Sequence, residues 1–116
     1  MTVECKAYTE NAMLKRILVD ASLTKKVFPN IYYVLFQLES QLGGDYSSIF
    51  NDITYGSSPS NTLMSYFDIN LEIITLLEGE RKVDEPIHKT DYFKELKEES
   101  LNNDIKFFNG KLKPFI

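Results

Sequence analysis

The stretch from Ser58 to Gly79 constrains the fold more than any other part of this chain. Ser58 belongs to the residue types that cap helices, and Pro59 suits a first helical turn, where its missing N–H would have no partner anyway. Gly79 suits the left-handed residue that closes a helix. Between them Leu63, Phe67, Leu71, Ile74 and Leu77 form one stripe at helical spacing, and Tyr66, Ile69, Ile73 and Leu76 form a second beside it. Ser65, Asp68, Glu72 and Thr75 are confined to a narrow polar band. A helix apolar over so much of its circumference has to be covered on several sides. The spacing therefore predicts a central helix over 59–78.

The segments around it read mostly as further helices. Residues 2–8 alternate, with Val3, Cys5 and Ala7 against Thr2, Glu4, Lys6 and Tyr8, which is strand periodicity over a short window. Met13, Leu14, Ile17, Leu18 and Ala21 then recur at helical spacing. Pro29 breaks the chain, and Ile31, Val34, Leu35, Leu38 and Leu42 give a buried stripe for a helix over 31–42, stopped by Gly43-Gly44. Asp45 or Ser47 starts a short helical turn through Ile53. Thr90 or Asp91 opens another helix, with Phe93, Leu96 and Leu101 facing inward. Asn109-Gly110 is a strong hairpin signal, because both central residues of that turn need positive φ. The expectation is a mainly α (α+β) fold: four to five helices packed as a bundle around helix 59–78, with a small C-terminal β-hairpin over 105–115. At 116 residues, one domain over 1–116 is expected.

Composition narrows the chemistry. The one cysteine, Cys5, allows no internal disulfide and no cysteine metal cluster. The first residues show no basic segment leading into an apolar run, so no secretory signal is expected. No apolar run approaches the ~20 residues of a membrane span. A cytoplasmic protein without membrane contact is the expectation. Cys5 and the single imidazole, His88, sit in no motif that would join them as nucleophile and base. There is no phosphate-binding loop, no His/Cys cluster and no calcium loop, so neither a cofactor nor a metal is expected. Asp68 and Glu72 share a helix face at i, i+4. They form the one carboxylate pair suited to acid–base work, and also the ordinary solvent stripe of such a helix.

Charge is distributed unevenly. Between Lys26 and Arg81 there is no cation, whereas Glu39, Asp45, Asp52, Asp68, Glu72, Glu78 and Glu80 are all acidic. Tyr32, Tyr33, Tyr46, Tyr55 and Tyr66 fall in the same interval. Tyrosine is enriched at interfaces, and acidic groups around it speed capture of a basic partner. Lys106, Lys111 and Lys113 interleave with aromatics near the end, a pattern that stacks bases or, more commonly, guards a sheet edge. The functional expectation is a non-enzymatic acidic binding protein. It would act as an inhibitor or immunity protein that occludes a basic protein such as a nuclease and makes no direct contact with nucleic acid. Glu39, Asp45 and Asp52 would pair with cations across that interface, and Tyr46 and Tyr55 would anchor it. The alternative is an assembly subunit in which a homodimer completes the core.

Overall fold

The structure is a computed structural model that describes residues 1–41, 58–77, 81–82 and 84–115. Strand β1 (Thr2–Thr9) leads into helix α1 (Asn11–Val27), strand β2 (Tyr33–Ser40), helix α2 (Ser58–Phe67), strand β3 (Glu72–Thr75) and helix α3 (Glu98–Leu112). A single 3-10 turn, Thr90–Tyr92, precedes α3, and another, Lys113–Phe115, follows it. The three strands form a parallel sheet in the order β1-β2-β3.

Parallel neighbours cannot be joined by a tight turn, so the chain crosses over between them. α1 makes the first crossover and α2 lies in the second. Leu14, Ile17, Leu18 and Ala21 of α1 and Met64 of α2 share one core with Tyr33, Leu35, Ile69, Leu71 and Ile73. Both helices thus cover the same face, as successive crossovers of one hand require. α3 covers the other face, where Phe108 meets Phe36 edge-on at 5.5 Å.

The expected helical bundle is not observed, for local reasons that differ from place to place. Residues 33–40 form a strand buried on both faces: Val34 and Leu35 are adjacent and both wholly inaccessible. Such a strand reads as a continuous apolar run, which also satisfies a helical stripe. The expected helix over 59–78 stops at Phe67. Asp68 takes φ 52°, a left-handed conformation that Asp tolerates better than most side chains. Its N–H bonds the Ser65 carbonyl (3.2 Å), and the Ile69 N–H bonds the Met64 carbonyl (3.1 Å). This is a Schellman closure, sealed by burial of both Met64 and Ile69. The chain then runs extended, and β-branched Ile73, Ile74 and Thr75 suit the strand that follows.

The C-terminal hairpin over 105–115 is replaced by α3, with Asn109-Gly110 inside its last turns. Packing of Phe107 and Phe108 outweighs a local turn signal there. At Thr90 only a three-residue 3-10 helix forms; the chain then stays non-helical to Lys97, and Phe93, Leu96 and Leu101 are exposed rather than inward-facing. The expected turn over 45–53 lies outside the described residues.

Two buried polar features mark the interior, and they act in opposite senses on stability. At the carboxyl end of β2, the Arg81 guanidinium donates to both carboxylate oxygens of Glu39. It also donates to the carbonyls of Glu85 (3.1 Å) and Tyr92 (2.8 Å), fastening the segment after β3 to the sheet. Donating to the Glu39 carboxylate raises the Arg81 pKa further, so the guanidinium stays charged. One register step away, Gln37 Nε2 donates to Thr75 Oγ1 across β2 and β3 (2.9 Å). The second feature is Asp104 of α3, one turn before Phe108 and on the same side. Burial pushes its pKa up to about 6, and its Oδ2 has no hydrogen-bond partner.

Removing one member of the Glu39–Arg81 pair strands a buried charge. Glu39→Leu or Arg81→Met alone should each cost about 3–5 kcal/mol in urea unfolding, and the double replacement should cost less than either. Asp104 imposes a pH dependence of defined sign. Its folded pKa is raised above the ordinary carboxyl value of 3.8, so folding is favoured while the group stays protonated. That contribution, roughly 3 kcal/mol, is lost as pH climbs from the ordinary carboxyl value through about 6. Asp104→Asn should flatten the stability profile over that window and melt above the parent protein at pH 8.

Candidate functional site

The amino ends of β2 and β3 open into a cleft of about 790 Å³. The end of α1 contributes Ala21 and Lys25. α2 and its closing turn contribute Asn61, Met64, Ser65, Asp68 and Asn70, and α3 contributes Lys111. Ile31, Met64, Ile69, Leu71 and Ile73 give the cleft apolar walls, while Lys25, Ser65, Asp68, Asn70, Glu72 and Lys111 place polar groups around them.

Three local arrangements position those groups. Lys25 Nζ donates to the Asp68 carbonyl (3.3 Å), tying the end of α1 to the turn that closes α2. Lys111 Nζ lies 4.9 Å from the centre of the Tyr32 ring and 5.6 Å from that of Phe107, a cation held over two aromatic faces. Tyr33 OH donates to Glu4 Oε2 (2.7 Å), and burial, then that bond, raises the tyrosine pKa. Glu72 opens β3 half-buried. Desolvation raises its carboxyl pKa, and Lys111 acts in the opposite sense. The cleft therefore combines two mobile-stemmed cations, amide and hydroxyl groups, and two carboxylates in unlike settings: Asp68 exposed, Glu72 half-buried. Cations of that kind suit phosphate.

The sequence-derived sites fare unevenly. Glu39 is not on an exposed helix face but wholly buried in β2 against Arg81. Asp45, Tyr46, Asp52 and Tyr55 lie outside the described residues. Tyr32 and Tyr33 line the cleft, and Tyr66 is exposed. Asp68 and Glu72 both line the cleft, but not as an i, i+4 pair on a helix: one closes α2 and the other begins β3. Cys5 and His88 are both exposed and neither lines the cleft. Lys25, Asn70 and Lys111 were missed because they converge from three distant segments, which periodicity does not reveal. Among the described residues no group of three or more His, Cys, Asp or Glu is placed to hold a metal ion, and no helix is long and apolar enough to cross a membrane.

No family model and no solved structure matches the chain. The chain is 60% identical over 111 residues to the type II restriction enzyme DdeI of Desulfomicrobium norvegicum, a match that takes in 95% of this chain and 46% of the relative. It thus spans about half the length of the curated relative it matches. That likeness overturns the expected inhibitor or immunity protein and the expected lack of enzymatic character, since the relative is itself an enzyme. The exclusion of nucleic acid loses its footing with them, and a basic protein partner finds no support.

Proposed function

We propose that this chain is part of, or closely related to, a type II restriction endonuclease, with double-stranded DNA as its partner. The observation that carries the reading is the 60% identity sustained over nearly the whole chain. On this reading the protein works in the cytoplasm, and the cleft at the amino ends of β2 and β3 is where it meets DNA. Lys25 and Lys111 approach backbone phosphates from opposite elements. Asn70 carries the side-chain amide that reads adenine edges, and Ser65 can serve several bases. Glu72, whose carboxyl pKa is raised by desolvation, is the cleft group best suited to exchange a proton during phosphodiester hydrolysis.

A net charge of −4 does not oppose this. Phosphate contacts are local, and a chain that is acidic overall needs its cations gathered where the backbone passes. The test uses purified protein and plasmid DNA in a magnesium buffer, together with binding to a short duplex by fluorescence anisotropy. Discrete fragments and salt-sensitive duplex binding are expected. Lys111→Ala should weaken binding across all sequences and lower the slope of log K against log salt by about 1. Glu72→Gln should slow cleavage while leaving binding close to the parent value. Plasmid left intact by excess protein, with no duplex binding at low salt, would contradict the reading.

A further inference from the structure

β1 occupies one end of the sheet, so only one of its edges is paired among the described residues. The Thr2 N–H bonds the Tyr32 carbonyl (2.8 Å), which directs that residue's backbone toward β2. By the two-residue period of a strand, Glu4 and Lys6 face β2 in the same way, and the N–H and C=O groups of Val3, Cys5 and Ala7 face the open edge. Edges of this length are usually blunted by proline, a bulge or several lysines. β1 has no proline and one lysine, and it is extended throughout. Val3, Cys5 and Ala7 are also exposed, on the same face of the sheet as Phe36.

We infer that this edge receives the β1 of a second copy, antiparallel, with the two-fold axis passing through Cys5. Charge selects both occupant and register. With the axis at Cys5, Glu4 of each copy stands opposite Lys6 of the other, Val3 stands opposite Ala7, and Cys5 opposite Cys5. Moving the axis to Glu4 sets two carboxylates face to face, and moving it to Lys6 sets two ammonium groups face to face. Like charges directly opposite destabilise a strand pair, and opposite charges stabilise it. The Cys5 register also forms hydrogen-bonded pairs at Val3–Ala7 and Cys5–Cys5 only through amides that already point outward. Glu4 and Lys6 lie 3.4 Å apart within one chain, partly exposed, so both are within reach of that edge. The result is one continuous six-stranded sheet across the dimer. The inference does not depend on the DNA reading.

The test is the dimer dissociation constant, by sedimentation equilibrium. Glu4→Lys and Lys6→Glu should each raise it about tenfold or more, since two attractive pairs become repulsive. The exchanged double variant, Glu4→Lys with Lys6→Glu, should restore it. The two single variants, mixed, should form heterodimers in preference to either homodimer. Glu4→Gln keeps an acceptor for Tyr33 and separates loss of that bond from loss of pairing, so it should weaken the dimer less than Glu4→Lys. A short bis-maleimide linker should join two copies through Cys5, and Cys5→Ser should abolish that product. A chain that stays monomeric at high concentration, a dimer indifferent to both charge reversals, or a double variant no better than the singles would overturn the inference.

Discussion

Burial of β2 on both faces is the constraint from which the rest of the structure follows. It is the middle strand of a parallel sheet, so neither neighbour can reach it through a tight turn. α1 and α2 therefore stand on one face, and α3 closes the other through Phe108 against Phe36. Polar side chains on such a strand need partners. Gln37 finds Thr75, and Glu39 finds Arg81. The Arg81 contact does more than neutralise a carboxylate: by also binding the Glu85 and Tyr92 carbonyls it sets the path of the chain after β3.

The same constraint explains what could be read in the sequence. α1 was legible because it is amphipathic, with Leu14, Ile17, Leu18 and Ala21 on one stripe and Lys15, Arg16 and Asp20 on the other. β1 was legible by its two-residue alternation, although the structure exposes the apolar set, Val3, Cys5 and Ala7, and half-buries the polar one. β2 was not, since a strand covered on both sides has no period to detect. In 58–79, two elements joined by Asp68 mimic one long helix: the apolar residues of α2 and β3 happen to continue the 3.6-residue spacing across the turn. The Asn109-Gly110 signal was outweighed by aromatic packing on the sheet. Of the site, Asp68 and Glu72 line one cleft, but not as the i, i+4 pair on a helix that the spacing predicted, and Lys25 and Lys111 were hidden by their separation along the chain.

Of the acidic run that suggested a surface for basic proteins, the described members are divided among different tasks, while Asp45, Asp52, Glu78 and Glu80 lie outside the described residues. Glu39 serves the interior, Glu72 lies at the cleft beside Lys111, and Asp68 ends a helix. Uniform sign along a sequence says little about the field at a site, because folding brings in cations from elsewhere: Lys25 precedes the acidic run, and Lys111 and Arg81 follow it.

The central claim, that residues 33–40 and 72–75 are parallel strands rather than parts of two helices, is tested most directly by the backbone chemical shifts and nuclear Overhauser effects of the isotope-labelled protein. The account requires extended-chain carbon shifts through Val34–Glu39 and Ile73–Thr75, with interstrand contacts that pair Val3 with Val34 and Leu35 with Ile73. Helical shifts through either segment, or sequential amide–amide contacts running unbroken from Ser65 to Leu76, would contradict it.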